Sequence, residues 1–176
     1  MPGVTKEDEQ HNMTDTELSK AAARVAAALA AHGHVGLVRE LPASTRTAAD
    51  AALALECTVA QIAKSLVFKR RHSQSAVLVV ASGVNQVDTA RLAVLCGEPI
   101  AKADADFVRT HTGFAIGGIP PFAHRVAVET YLDEDLFSLD LLWAAAGTPN
   151  AVFPLTPAML RELTGAAVVA IKREQG

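Results

Sequence analysis

Two apolar runs separated by one short polar segment constrain the fold of this chain more than any other feature. Ile62–Lys69 and Ala76–Ala81 are rich in valine, leucine and isoleucine, and the segment between them reads RRHSQS. Runs of this length and composition around a polar turn are typical of paired β-strands. The chain is therefore expected to contain a sheet, and its remaining segments have to provide the other strands and the covering helices.

Signals for helices and for further strands are distributed along the rest of the chain. Helices are predicted over Leu18–Ala31 after a capping-box pattern at Thr14–Glu17, from Thr47 through Leu55, over Val87–Cys96, over Asp104–His111, and from Thr156 to Leu163. Strands are predicted over Val35–Arg39, Val126–Thr130, Leu141–Ala145, Ala151–Phe153 and Ala167–Ile171. Helices and strands mix without regular βαβ alternation, which predicts a single α+β domain over residues 14–176 with a mixed sheet. Residues 1–13 lack periodicity and are predicted to be a disordered polar tail.

The charge of the chain is unevenly distributed along its length. The formal net charge is −3, and the first 20 residues account for all of it with five acids and two lysines. No acid occurs between Glu56 and Asp88, where the cations are Lys64, Lys69, Arg70 and Arg71. Such a stretch is either a solvated hairpin tip or a small contact surface for RNA phosphates. The neutral body of the chain does not suggest a DNA-binding protein.

Several classes of protein are disfavoured by what the sequence lacks. Its apolar stretches are much shorter than the roughly 20 residues of a membrane span, and no secretory signal is visible, so a cytoplasmic protein is expected. Cys57 and Cys96 have no C-x-x-C partner and the histidines are scattered, so no metal site is expected. No nucleotide-binding glycine motif and no G-x-S-x-G motif occurs, and no cofactor is expected.

A lysine lies in the middle of the first predicted strand. In an extended chain Lys64 shares one face with Ile62, Leu66 and Phe68, and that face is otherwise apolar. Burying an ammonium group without a partner is costly, so this lysine extends its amine to solvent, finds a partner, or opens into a cavity. In the last case it would lie at the floor of a pocket, where it could hold an anionic or carbonyl oxygen.

A glycine- and proline-rich segment is the second candidate site. Thr112–Pro121 reads TGFAIGGIPP, in which two adjacent glycines precede two adjacent prolines. The backbone of such a loop can approach a ligand closely, and its N–H groups could polarise a carbonyl as an oxyanion hole does. A tight turn that only needs glycine torsions would have the same sequence.

Together these segments resemble a known family. The QIAKSLVF run at 61–68, the VDxxRLA pattern at 87–93 and the TGFAIGGIPP block resemble the YbaK/EbsC family of aminoacyl-tRNA deacylases. This family includes free-standing relatives of the editing domain of bacterial prolyl-tRNA synthetases. Further matches at 131–133, 144–147 and 155–157 keep the family's order from about Leu37 to Lys172.

The resemblance implies a fold and a set of site residues. The implied fold is a mixed, barrel-like sheet flanked by helices. The lysine of the family's K-S/T-L motif corresponds to Lys64, which is implied to be catalytic and to anchor the substrate. The glycine pair corresponds to Gly117 and Gly118, whose backbone would position the scissile ester, with Pro120 keeping the loop rigid. The two remaining implied substrate-site residues are Asp133, behind the site, and Ala145, in the amino-acid pocket.

The implied function is hydrolysis of the ester of a mischarged aminoacyl-tRNA that carries a small amino acid, with tRNA for proline as the expected carrier. Some members have a serine where this chain has Ala145, so the cysteine-specific activity of part of the family is not expected to transfer. The expected partners are the single-stranded acceptor end of the tRNA and a tRNA synthetase. Contacts with the tRNA are expected from Arg46, Lys69, Arg70 and Arg71. The alternatives are a non-catalytic module that binds tRNA or a synthetase, and an unrelated small-molecule-binding domain.

Overall fold

The computed structural model describes residues 18–42, 45 and 47–175. The predicted polar tail, the capping-box pattern at Thr14–Glu17 and Arg46 lie outside the described residues. The first helix begins later than predicted, at Lys20, and its N-cap is Ser19, whose side chain accepts a hydrogen bond from the N–H of Ala22. No helix among the described residues is long and apolar enough to cross a membrane.

The described residues form five α-helices, two short 3-10 helices and eight strands. The helices are α1 (Lys20–Ala31), α2 (Ala48–Leu55), α3 (Thr89–Cys96), α4 (Ala105–Thr112) and α5 (Pro157–Thr164). The strands are β1 (Arg39–Glu40), β2 (Ile62–Arg70), β3 (Ala76–Ser82), β4 (Ile100–Lys102), β5 (Glu129–Asp133), β6 (Leu142–Ala145), β7 (Ala151–Leu155) and β8 (Ala167–Val169). Four of the helices begin after side-chain caps that the sequence indicates, namely Thr47, Asp88, Asp104 and Thr156.

All eight strands belong to one mixed sheet. The order along it is β1-β7-β6-β2-β3-β5-β8, and β4 joins as an additional neighbour of β2. β2 and β3 form the expected antiparallel hairpin, in which Lys64 lies opposite Ala81. The pairs β2–β6, β3–β5 and β5–β8 are parallel. The prediction of a single α+β domain with a mixed sheet is confirmed.

One edge of β2 is shared between two short strands. β3 occupies the first edge from Ala63 to Lys69. On the other edge, β6 pairs with Ile62 and Ala63, and β4 pairs with Phe68 to Arg70. Residues 64–67 therefore have no strand partner on that edge within the described part of the chain. A gap of this kind exposes the backbone of a central strand, which places a cleft inside the sheet.

Apolar clusters on both faces of the sheet fix β2 in this position. The main cluster packs α1 and α5 against one face and includes Val25, Leu29, Phe153 and Leu160. On the other face, α2 covers Ile62, Trp143 and Val152. A third cluster packs Leu92 of α3 on Val77 and Val79, with Leu66 and Phe68 against it. The predicted alternation along β2 is confirmed, because Ala63 and Val67 join the main cluster instead.

The predicted and observed strands differ at three places. Only Arg39 of the strand predicted over Val35–Arg39 belongs to a strand, as the first residue of β1, and Val35 is 78% exposed. The strand predicted over Val126–Thr130 begins three residues later, because Glu129 is the residue that pairs with Val77 of β3. β4 was not predicted, since three residues with no clear alternation carry no pattern on their own.

Candidate active site

The gap on the edge of β2 opens into a pocket of about 270 Å³. Its walls come from the start of β2, the N-terminal part of α2, the glycine-rich loop, β6, and the loop that leads into β7. Most of the surface is apolar and is contributed by side chains such as Ile62, Ile119, Trp143 and Val152. The polar residues in the wall are Thr45, Thr47, Lys64 and Ser65. The pocket therefore offers a small apolar space with few polar contacts.

Lys64 is the only cation among the described residues that line this pocket. Burial lowers the pKa of its ammonium group below the ordinary lysine value, and the negative charge of Asp133 partly offsets this effect by raising the pKa. The ammonium has no hydrogen bond or ion pair with the other residues that the structure describes. A half-buried ammonium without a partner is available to a ligand that brings a partial or full negative charge.

Asp133 lies behind the pocket and does not line it. Its side chain is fully buried. Oδ2 accepts hydrogen bonds from the N–H of Ser82 at 3.0 Å and from Asn85 at 2.8 Å, and Oδ1 accepts one from the N–H of Asp135. These bonds satisfy the carboxylate, and its effect on Lys64 is that of its negative charge.

The two adjacent glycines have different roles. Gly117 lines the pocket with φ +92°, a left-handed conformation that favours glycine. Gly118 does not line it: its N–H donates to the carbonyl of Ala115 at 3.0 Å, and its carbonyl accepts from the N–H of Gly147 at 2.9 Å. This N–H is therefore already used, and the prediction that it forms part of an oxyanion hole has no geometric support.

Of the two remaining predicted substrate residues, one lines the pocket and the other does not. Ala145 lines the pocket at the end of β6. Pro120 does not, and its carbonyl instead contacts Nε2 of His124 at 2.7 Å. Lys64, Gly117 and Ala145 are thus brought together at the pocket, while Asp133, Gly118 and Pro120 lie behind it.

Comparison with known proteins identifies the family. Residues 42–163 match the family model of the aminoacyl-tRNA editing domain. The chain belongs to this family. The resemblance inferred from the sequence is therefore confirmed, and membership supports a deacylase-type function that acts on aminoacyl-tRNA.

Two solved structures and one further protein are similar to most of this chain. A crystal structure described as that of a candidate trans-editing enzyme for prolyl-tRNA synthetase is 47% identical, covers 90% of this chain with all of its own length, and has a TM-score of 0.84. The crystal structure of hypothetical protein APE2540 is 28% identical over 85% of this chain and 99% of its own, with a TM-score of 0.78. YwhH of Bacillus subtilis (strain 168), an uncharacterized protein, is 32% identical over 72% of this chain and 80% of its own.

The cations of the β2–β3 hairpin do not form one surface in the editing domain. Arg70 is only 8% exposed, and its guanidinium donates to Ser75, to the carbonyl of Ala76 and to the carboxylate of Glu129. The predicted contact of Arg70 with tRNA therefore has no support in the structure, because the guanidinium is buried and three of its donors are engaged within the protein. Arg71 is exposed, and Lys69 lies half-buried with its amine 5.4 Å from the centre of the Phe107 ring.

Sequence reasoning missed most of the apolar wall. Trp143 is the single tryptophan of the chain, and its ring forms part of the wall beneath the guanidinium of Arg39, 5.2 Å from the ring centre. Thr47 was identified only as a helix cap, and Thr45 bonds the carbonyl of Pro149 at 3.2 Å. A lone tryptophan in a short predicted strand was the one signal that could have indicated a wall residue.

Proposed function

We propose that this editing domain hydrolyses, in trans, the ester of a mischarged aminoacyl-tRNA that carries a small amino acid, with tRNA for proline as the carrier. The observation that carries the proposal is the half-buried ammonium of Lys64, which has no partner among the described residues, in a small apolar pocket that Gly117 also lines. The match to a candidate trans-editing enzyme for prolyl-tRNA synthetase supports the choice of tRNA.

The proposed reaction needs few protein groups, because an aminoacyl ester is already activated. The Lys64 ammonium donates a hydrogen bond to the carbonyl oxygen, which gains negative charge as water adds to the carbonyl carbon. The bond between that carbon and the ribose oxygen then breaks, and the ribose oxygen takes up a proton. The products are the free amino acid and the deacylated tRNA. The neighbouring hydroxyl of the terminal adenosine serves as the proton relay, so no general base from the protein is required.

The apolar lining of the pocket supports a small amino acid without a charged side chain. The methyl group of Ala145 makes the end of β6 apolar and offers no hydrogen bond to a side chain. Selection by size alone is worth only about 1–3 kcal/mol, so the tRNA has to be recognised separately.

The test of the proposed function is a panel of tRNA molecules for proline charged with alanine, serine, cysteine or proline. We expect alanine to be released fastest, with serine and cysteine behind it, and proline to be released at nearly the rate without enzyme. Single-turnover release of labelled amino acid measures each rate. If no small amino acid is released faster than in the control while the tRNA still binds, the chain is a non-catalytic tRNA-binding module.

We assign the tRNA contacts to Lys69 and Arg71, together with Arg46. In the double variant Lys69→Glu with Arg71→Glu, the slope of log affinity against log salt concentration should fall by about one to two, because each lost phosphate contact removes roughly 0.7. Titration of labelled tRNA over a salt series measures this slope. Arg161→Glu, an exposed arginine on α5, is the matched control and should leave it unchanged. Equal slopes in the double variant and the control would show that the hairpin does not touch the tRNA.

A further inference from the structure

Along β2, the main-chain N–H and C=O groups of successive residues point to opposite edges of the strand. The carbonyl of Ile62 accepts from the N–H of Gly83 at 2.7 Å, and the N–H of Arg70 donates to the carbonyl of Ser75 at 2.9 Å. Both groups therefore face the β3 side. Because the direction alternates with every residue, Ser65 and Val67 direct their N–H and C=O groups to the other edge.

Ser65 is centred in the gap on that edge. The ladder with β6 ends at Ala63, and the ladder with β4 begins at Phe68. The hydroxyl Oγ of Ser65 is buried and has no hydrogen-bond partner among the described residues, although the residue as a whole is partly exposed. The exposed part of Ser65 is therefore its main chain and Cβ, as expected for a residue whose backbone forms part of the pocket wall.

These main-chain groups are held rigidly. β3 pairs with β2 continuously from Ala63 to Lys69, so the residues on both sides of Ser65 are fixed in the ladder. Backbone groups away from bulk water are nearly always paired, and leaving one unpaired costs about 1–3 kcal/mol. A fixed N–H that already points into a pocket is the kind of donor that stabilises a developing negative charge without reorganisation.

We propose that the main chain of Ser65 binds the aminoacyl group through two hydrogen bonds. The aminoacyl group then lies in the gap, where a neighbouring strand would otherwise pair with β2. The N–H of Ser65 donates to the carbonyl oxygen of the scissile ester and shares this oxygen with the ammonium of Lys64. The C=O of Ser65 accepts a hydrogen bond from the α-ammonium group of the amino acid. An aminoacyl ester offers one donor and one acceptor on neighbouring atoms, much as a strand residue does, and so it complements a single unpaired strand position. This assignment rests on the proposed function.

Replacing one backbone amide by an ester tests the N–H. The Ser65→Ala variant sets the reference rate, because it removes the unpartnered hydroxyl and keeps the N–H. Lactic acid at position 65, introduced by nonsense suppression, then replaces that N–H by an ester oxygen; the other change is a weaker acceptor at the Lys64 carbonyl, which faces β3. We expect the single-turnover rate to fall about 100-fold relative to Ser65→Ala, as for loss of one oxyanion-hole donor.

Phenyllactic acid at position 68 is the matched control. The N–H of Phe68 faces β3, so this change removes a ladder bond and lowers the melting temperature, but the rate per folded molecule should be retained. If lactic acid at position 65 leaves the rate at the level of Ser65→Ala, the assignment is overturned while the proposed function stands. If the wild-type protein releases no amino acid, the proposed function and this assignment are both contradicted.

Acetylation of the amino acid on the tRNA tests the C=O. N-acetyl-alanyl-tRNA lacks the ammonium charge and carries a bulky acyl group, so its release should be slower than that of alanyl-tRNA by about 10-fold or more, equivalent to about 1.4 kcal/mol. N-formyl and N-methyl alanyl-tRNA separate the two effects, because the first removes the charge with little bulk and the second keeps it. Slow release of the formyl form with retained release of the methyl form supports the contact. Equal release of the acetylated and free forms overturns it.

Discussion

The Lys64→Ala variant is expected to lose most of the deacylase activity, with a fall of about 100-fold or more in the single-turnover rate, while its melting temperature stays equal to the wild type or rises. The loss follows because the ammonium is the charged donor closest to the developing oxyanion in the proposed reaction. The retained stability follows because burial lowers the pKa of this ammonium, so the charged form is disfavoured in the folded protein. Thermal melts and single-turnover release on the same preparation measure both.

Two further measurements make this result specific. Lys102→Ala removes an exposed lysine from β4 and should change neither property. In the wild type, the pH range of interest lies between the lowered pKa of Lys64 in the folded protein and the ordinary lysine pKa of 10.5. As the pH rises through this range, activity should decline because Lys64 loses its proton. The free energy of unfolding should increase over the same range, because the unfolded chain still binds the proton that the folded chain has lost. A variant that melts much lower and loses activity only in proportion would make Lys64 a structural residue.

The Gly118→Ala variant is expected to lose both stability and activity. A Cβ at this position would lie 2.6 Å from Cα of Thr148 and 2.8 Å from the carbonyl oxygen of Gly147, and these backbone atoms cannot rotate away. The glycine-rich loop and the loop after β6 would have to separate, which breaks the bond between Gly147 and Gly118 and widens the pocket. We expect a loss of about 2–3 kcal/mol in the free energy of unfolding and at least 10-fold in rate.

Urea denaturation and single-turnover rates below the melting range measure the two effects. Gly165→Ala at the end of α5 is the matched control, because a Cβ there meets no atom within 4 Å and only the left-handed backbone is strained. It should cost about 1 kcal/mol and leave the rate unchanged. If Gly118→Ala behaves like Gly165→Ala, the two loops are not in tight contact.

The sequence predicted the parts of the fold that depend on local patterns. The β2–β3 hairpin, the face that holds Lys64 and the caps of four helices all follow from residues near one another in the chain. The burial of Arg70 does not, because its partner Glu129 lies 59 residues away on a strand whose start was misplaced. The engagement of the Gly118 N–H and the short strand β4 were equally inaccessible, since each depends on a neighbour that only the three-dimensional fold supplies.

The candidate site was predicted to a similar extent. Lys64 and Gly117 carry distinct sequence signals, a cation within an apolar strand and a paired glycine, and both line the pocket. The gap beside Ser65 has no sequence signal, because it exists only where β6 ends and β4 has not yet begun. Assigning roles to the two glycines likewise required the hydrogen bonds of the loop.

The shared edge of β2 also determines when during folding the pocket can form. The β2–β3 hairpin closes a loop of a few residues, whereas the parallel pairing of β2 with β6 joins residues about 80 positions apart, such as Ile62 and Trp143. Closing a long loop costs more entropy and slows folding, so local pairs form before distant ones. An emerging chain would therefore hold Lys64 in a finished hairpin, still facing solvent, until the segment that reaches Val152 has been made. Editing capacity would then appear in one late step, when β6 docks.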